Sequence, residues 1–132
     1  MNSDNGDRYV DTECEPTMKM AQPVIRKELL TAMIDGSKPV AKVAIQEVTM
    51  NVGIEAPLHL HPCPTVGVIT EGKIVFEIEG ETTQHLSVGD VFFEPADVRV
   101  AKFNNDGDTP AKFVVFYLLG ENENEIVRML EK

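Results

Sequence analysis

The sequence predicts an all-β fold, a sandwich or barrel. Three observations carry this. Apolar residues come in short runs of strand length, several of the runs alternate apolar with polar, and Gly, Asp and Pro recur between them at turn positions.

The elements follow in order. Residues 1–20 hold five acids (Asp4, Asp7, Asp11, Glu13, Glu15) and two bases (Arg8, Lys19) with no period, which predicts a mobile tail. The remaining residues, 21–132, form one domain. Val40 to Met50, "VAKVAIQEVTM", reads as a strand. Val66 to Thr70, "VGVIT", is a short apolar strand, and "EGK" at Glu71 to Lys73 is a turn. "KIVFEIEGE" alternates, with Ile74, Phe76 and Ile78 on one face and Lys73, Glu77 and Glu79 among those on the other. "QHLSVGD" runs to a turn at Gly89. "VFFEP", "VRVAKF" and "AKFVVFYLL" are three more strands, the last two joined by the loop "NNDGDTP". The end changes character. In "NENEIVRMLEK", Asn122 followed by Glu125 has the spacing of a capping box, and Ile126, Val127 and Leu130 share a helical face. A short closing helix is expected, with an extended strand as its competitor.

Composition bounds the function. The 132 residues make one domain, 42% hydrophobic and 26% charged, which suits an ordinary core. The net charge is −10, which repels nucleic-acid phosphates and anionic membrane surfaces, so neither is expected as a partner. Cys14 and Cys63 are read as free thiols in a reducing compartment. A cytoplasmic location follows, or a periplasmic or secreted one if a leader has been removed. No run of residues is long and apolar enough to span a bilayer.

The chemistry concentrates in "GIEAPLHLHP", Gly53 to Pro62. His59 and His61 stand one residue apart, the spacing that puts two side chains on one side of a strand, and histidine is the commonest metal ligand. Around them the chain resembles the cupin superfamily, whose first motif is Gly, five residues, His, one residue, His, three or four residues, Glu, six residues, Gly. Gly53, His59, His61 and Gly72 match, with Thr65 at the Glu position. The second motif is Gly, five residues, Pro, one residue, Gly, two residues, His, three residues, Asn. Gly89, Pro95 and Asn104 match, with Asp97 in place of Gly and Val100 in place of His. The stretches "HPCPTVGVITEGK" and "GDVFFEPAD" look most like small single-domain bacterial cupins of the quercetin-dioxygenase-like kind. The resemblance implies a double-stranded β-helix, an RmlC-like jelly-roll barrel, covering most of residues 24–120. It also implies pairing as a homodimer through the strand-like segment from Val24 to Met50.

In metal-binding cupins three histidines and a glutamate hold iron, manganese, nickel, copper or zinc. Two of those four positions, Thr65 and Val100, lack a ligand here, and a catalytic site ordinarily needs about three good protein ligands. The resemblance therefore leaves His59 and His61 as metal ligands for a weakly held zinc, nickel, manganese or iron ion. Cys63 shares their parity and is a candidate third ligand, although Pro62 and Pro64 break regular alternation around it and make an apolar filler the alternative. His85, on a hairpin, reads as a turn histidine. The expected pocket is lined by His59, His61, Thr65, Phe76, Phe93 and Val100.

Three functions compete. One is a cupin pocket that binds a small molecule, which apolar walls with a few polar groups would suit. Another is a metal-dependent dioxygenase or isomerase using His59 and His61. The third is a metal-free acid–base enzyme of the sugar-epimerase kind, for which a histidine needs an orienting carboxylate that the motif positions do not offer.

Overall fold

The computed structural model describes residues 24–131. The expected tail at 1–20 and Cys14 lie outside them. The described residues form nine strands in order: β1 (Lys42–Met50), β2 (His59–Leu60), β3 (Thr65–Glu71), β4 (Ile74–Ile78), β5 (Gln84–Leu86), β6 (Val91–Glu94), β7 (Val100–Asn105), β8 (Ala111–Leu119) and β9 (Arg128–Met129). They form two antiparallel sheets, a five-stranded one in the order β9-β2-β7-β4-β5 and a four-stranded one in the order β1-β8-β3-β6. Apart from β4 and β5, which pair as a hairpin within the five-stranded sheet, consecutive strands alternate between the two sheets, which is the jelly-roll arrangement.

The alternating runs explain the core. Ile74, Phe76 and Ile78 on β4 are buried, and β8 buries every second residue from Ala111 to Leu119. Each buried Val, Leu, Ile or Phe among these contributes roughly 1.5–3 kcal/mol. Four rings, Phe76, Phe92, Phe103 and Phe113, meet edge to face or tilted, with centroids 4.9–6.2 Å apart. Gly67 on β3 makes room for them: a Cβ there would stand 2.3 Å from the tip of the Phe92 ring.

The turn chemistry also explains one departure from the family pattern. Asp97 occupies the second motif's glycine position and has φ of 67°, the left-handed region that Asp tolerates better than most residues. The backbone requirement survives although the glycine does not. Asp97 N–H then donates to the His61 carbonyl at 2.8 Å, tying this turn to the histidine strand.

The closing helix does not form, and the chain is extended there instead. Arg128 and Met129 pair with Leu60 and His59, and Leu130 N–H donates to the Leu58 carbonyl at 2.9 Å. The capping box is a local signal worth about 1 kcal/mol, and an isolated helix of under twelve residues is marginal in water. The open edge of β2 offers backbone partners that a helix would leave unused. Residues 24–41 form no regular element; they run mostly exposed before β1, with Ile25 and Met33 among the most exposed apolar residues and Ala32, Ile34 and Lys38 half-buried.

Candidate metal centre

The site is assembled from both sheets. The five-stranded sheet brings His59 on β2 and His61 just beyond it. The four-stranded sheet brings Glu94 at the end of β6 and Tyr117 on β8. All four side chains are buried. They border a cavity of about 230 Å³ that Phe92, Phe103, Phe113, Met50 and Val115 also line, with Gln46, Ile126 and Val127 among its remaining walls.

Each histidine is held by its Nδ1. His59 donates to the Pro57 carbonyl at 2.7 Å, and His61 donates to the Ile126 carbonyl at 2.6 Å. A carbonyl oxygen only accepts, so both Nδ1 atoms carry a proton and the lone pair of each neutral ring lies on Nε2. A backbone carbonyl that fixes the tautomer in this way is a usual partner of a ligating histidine. The two rings meet edge-on, 5.1 Å between centroids.

Glu94 completes the group. Its Oε1 lies 3.2 Å from His61 Nε2, while its Oε2 is buried with no hydrogen-bond partner. One ligand atom each from His59, His61 and Glu94 lie within 4.8 Å of one another. With Nδ1 protonated, His61 Nε2 and a carboxylate oxygen would face each other as two acceptors. A proton or a metal ion between them removes the conflict. The orphaned Oε2 points the same way, because an unsatisfied buried acceptor costs about 1–3 kcal/mol and more when charged. Two imidazoles and a carboxylate are a recognised donor set for divalent transition metals with open positions. The residues present therefore fit such an ion.

The electrostatics agree with the geometry. Burial works against protonating His61, but the hydrogen bond and charge of Glu94, with the Ile126 carbonyl, outweigh it and raise the pKa above its ordinary 6.5. Tyr117, whose ring centroid is 5.7 Å from that of His61, is pushed up to about 12 by burial first and then by the charge of Glu94.

The residues expected from the sequence fall in different places. His59 and His61 line the cavity. Thr65, Phe76 and Val100 are fully buried in the core and are not among its lining residues. The Thr65 hydroxyl donates to the Cys63 carbonyl at 3.1 Å, and Val100 stands opposite His59 in the ladder. Phe93 faces the other side of β6, half-buried against a depression lined by Pro64 and Pro95. Phe92 faces the cavity in its stead. Cys63 is buried, and burial pushes its thiol up, away from the thiolate a metal would need; it is not part of the ligand cluster. His85 is exposed, 3.7 Å from Asp106.

Glu94 and Tyr117 were not found by sequence reasoning. The ladder supplies what was missing: Thr65, at the family's glutamate position, is directly opposite Glu94 on one side and Tyr117 on the other. In this chain a carboxylate stands on the strand next to that position.

The cupin-domain family model matches residues 46–117, and the chain belongs to the cupin family. No curated protein matches its sequence. Solved structures share the fold. A DMSP lyase, DddQ, from Ruegeria pomeroyi is 24% identical with a TM-score of 0.57, over 66% of this chain and 42% of that one. An oxalate oxidase in complex with the substrate analogue glycolate is 23% identical with a TM-score of 0.57, over 67% and 46%. A cupin-superfamily sugar phosphate isomerase from Silicibacter pomeroyi is 23% identical with a TM-score of 0.57, over 70% and 59%. The chain spans less than half the length of the first two. Likeness at this level establishes the double-stranded β-helix and leaves the chemistry to the site itself.

Proposed function

We propose that this chain is a cupin that holds a divalent transition metal with His59, His61 and Glu94 and binds a small molecule beside it. The observation that carries this reading is that ligand atoms of two histidines, whose lone pairs lie on Nε2, and of one buried, half-satisfied carboxylate come within 4.8 Å of one another beside the cavity. A metal bound there would supply Lewis acidity to a ligating oxygen. The chain's own residues do the rest. Pro57 and Ile126 orient the imidazoles, Phe92, Phe103 and Phe113 exclude water, and Glu94 supplies the negative charge.

Metal content of protein purified without chelator or nickel resin is the direct test, followed by melting with zinc, nickel or manganese. A ligand at a hundredfold excess over its dissociation constant stabilises by about 2.7 kcal/mol. The native chain should show such a shift, and Glu94→Gln should lose most of it. An equal shift in both would remove Glu94 from the centre.

A second reading is favoured by one contact. The 3.2 Å pairing of His61 Nε2 with Glu94 gives the histidine the orienting carboxylate that metal-free acid–base chemistry requires. Metal-free protein that turns over a substrate, and is not inhibited by chelator, would select it. The proposal includes a homodimer. Its support is that β1 pairs with β8 alone among the described strands and exposes Val43 and Ile45 along that edge.

A further inference from the structure

We infer that the molecule taken by this pocket is a small monoanion with one ionised group and an uncharged, apolar remainder about the size of an aromatic ring. The inference rests on the metal centre proposed above and adds the class of ligand.

The first support is a charge count. A divalent ion with one carboxylate, Glu94, and two neutral imidazoles leaves a net charge of +1 among buried side chains at a mostly apolar cavity. Uncompensated charge is costly there, and a single negative charge on the ligating group cancels it. A second negative charge has no partner. Among the described residues no lysine or arginine lines the cavity, whose polar side chains are Gln46, His59, His61, Glu94 and Tyr117. Tyr117 offers a hydroxyl and no positive charge to a second anionic group. The net charge of −10 on the whole chain further disfavours dianions.

The second support is size and surface. A cavity of about 150 Å³ lodges a benzene ring. The cavity here, about 230 Å³, has room for a ring and one carboxylate beside the metal. Phe92, Phe103 and Phe113 present ring surfaces to it, and Met50 and Val115 add aliphatic ones. A polyhydroxylated or phosphorylated ligand would leave its hydroxyls or second charge without partners against these walls.

Calorimetry of the zinc-loaded full chain tests this with benzoate, acetate, succinate and benzyl alcohol. Benzoate should bind at least tenfold more tightly than each of the others. Acetate lacks the apolar body, succinate carries the second charge, and benzyl alcohol lacks the first. Zinc binding measured beforehand separates the two readings. If zinc binds and any of the three matches benzoate, the ligand class is overturned while the metal centre stands. If zinc does not bind, both fall together. Gln46 is exposed in the middle of β1, the outer strand of its sheet among the described strands, so Gln46→Arg adds a cation to the wall without disturbing the core. It should narrow the benzoate-to-succinate ratio by at least tenfold. An unchanged ratio in the folded variant would show that a missing cation is not what excludes dianions, and would overturn the charge argument.

Discussion

The two ends of the barrel interior obey different rules. Around Ile69, Ile74 and Phe76 the packing is complete and the buried polar groups are satisfied: the Asn105 side-chain amide donates to three backbone carbonyls, and its oxygen accepts from Gly107 N–H. At the His61 end a cavity remains, and Glu94 Oε2 is the one buried side-chain oxygen or nitrogen among the described residues without a partner. Packing and satisfaction are relaxed together, and at the place where candidate ligands meet. An unsatisfied group tolerated at one end of an otherwise satisfied interior marks function better than a histidine pair does by itself.

Four measurements would break or sharpen this contrast. The largest effect is expected at the packed end. Phe76→Ala should cost about 3–5 kcal/mol in urea unfolding, since the ring is fully buried and touches two others. A loss under about 1 kcal/mol would mean that the packed end is loose as well.

Next is Tyr117. Its folded pKa of about 12 lies above the ordinary 10, so the folded state holds the phenolic proton more tightly than the unfolded chain. The stability this confers is fully present below pH 10 and is lost as pH rises towards 12, on the order of 2–3 kcal/mol. Comparing unfolding midpoints of the native chain and Tyr117→Phe from pH 9 to 12 isolates it. Parallel curves would show that Tyr117 ionises without penalty.

Gly67→Ala tests the boundary between the two ends. The added methyl would press on the Phe92 ring and stand 2.9 Å from the Val114 carbonyl. Overpacking of this kind costs about 1–3 kcal/mol, and displacing Phe92 should also weaken any ligand of the cavity. A stabilised variant would contradict the close approach.

The smallest effect is expected where a buried charge is removed. Glu94→Gln in metal-free protein should change stability by no more than about 1 kcal/mol, in either direction. It loses the pairing with His61 but also the desolvated carboxylate. A loss as large as that of Phe76→Ala would make Glu94 a structural residue rather than a ligand.

Much of the fold was legible in the sequence. Glycines at turns, the alternation in "KIVFEIEGE" and the apolar run "AKFVVFYLL" specify period and punctuation, and these need only local chemistry. The histidine pair was legible for the same reason, being a spacing within one short segment. Glu94 was not. In "VFFEP" two adjacent phenylalanines fit either phase of a strand, so taking Phe93 as inward turned Phe92 and Glu94 outward. That phase is set by the ladder to β3, where Thr65 faces Glu94. The C-terminal segment failed in the same manner. Its capping box and helical face were sound local signals, overridden by the unpaired edge of β2 and by the bond from His61 to the Ile126 carbonyl.

What the sequence by itself determined was therefore the all-β class, the turns and the His59–His61 pair. Only the tertiary structure decided which carboxylate meets them, which of two phenylalanines lines the cavity and what the last residues do. Side-chain period is a property of one strand, whereas register is a property of two, and hydrogen bonds between distant segments are what set it.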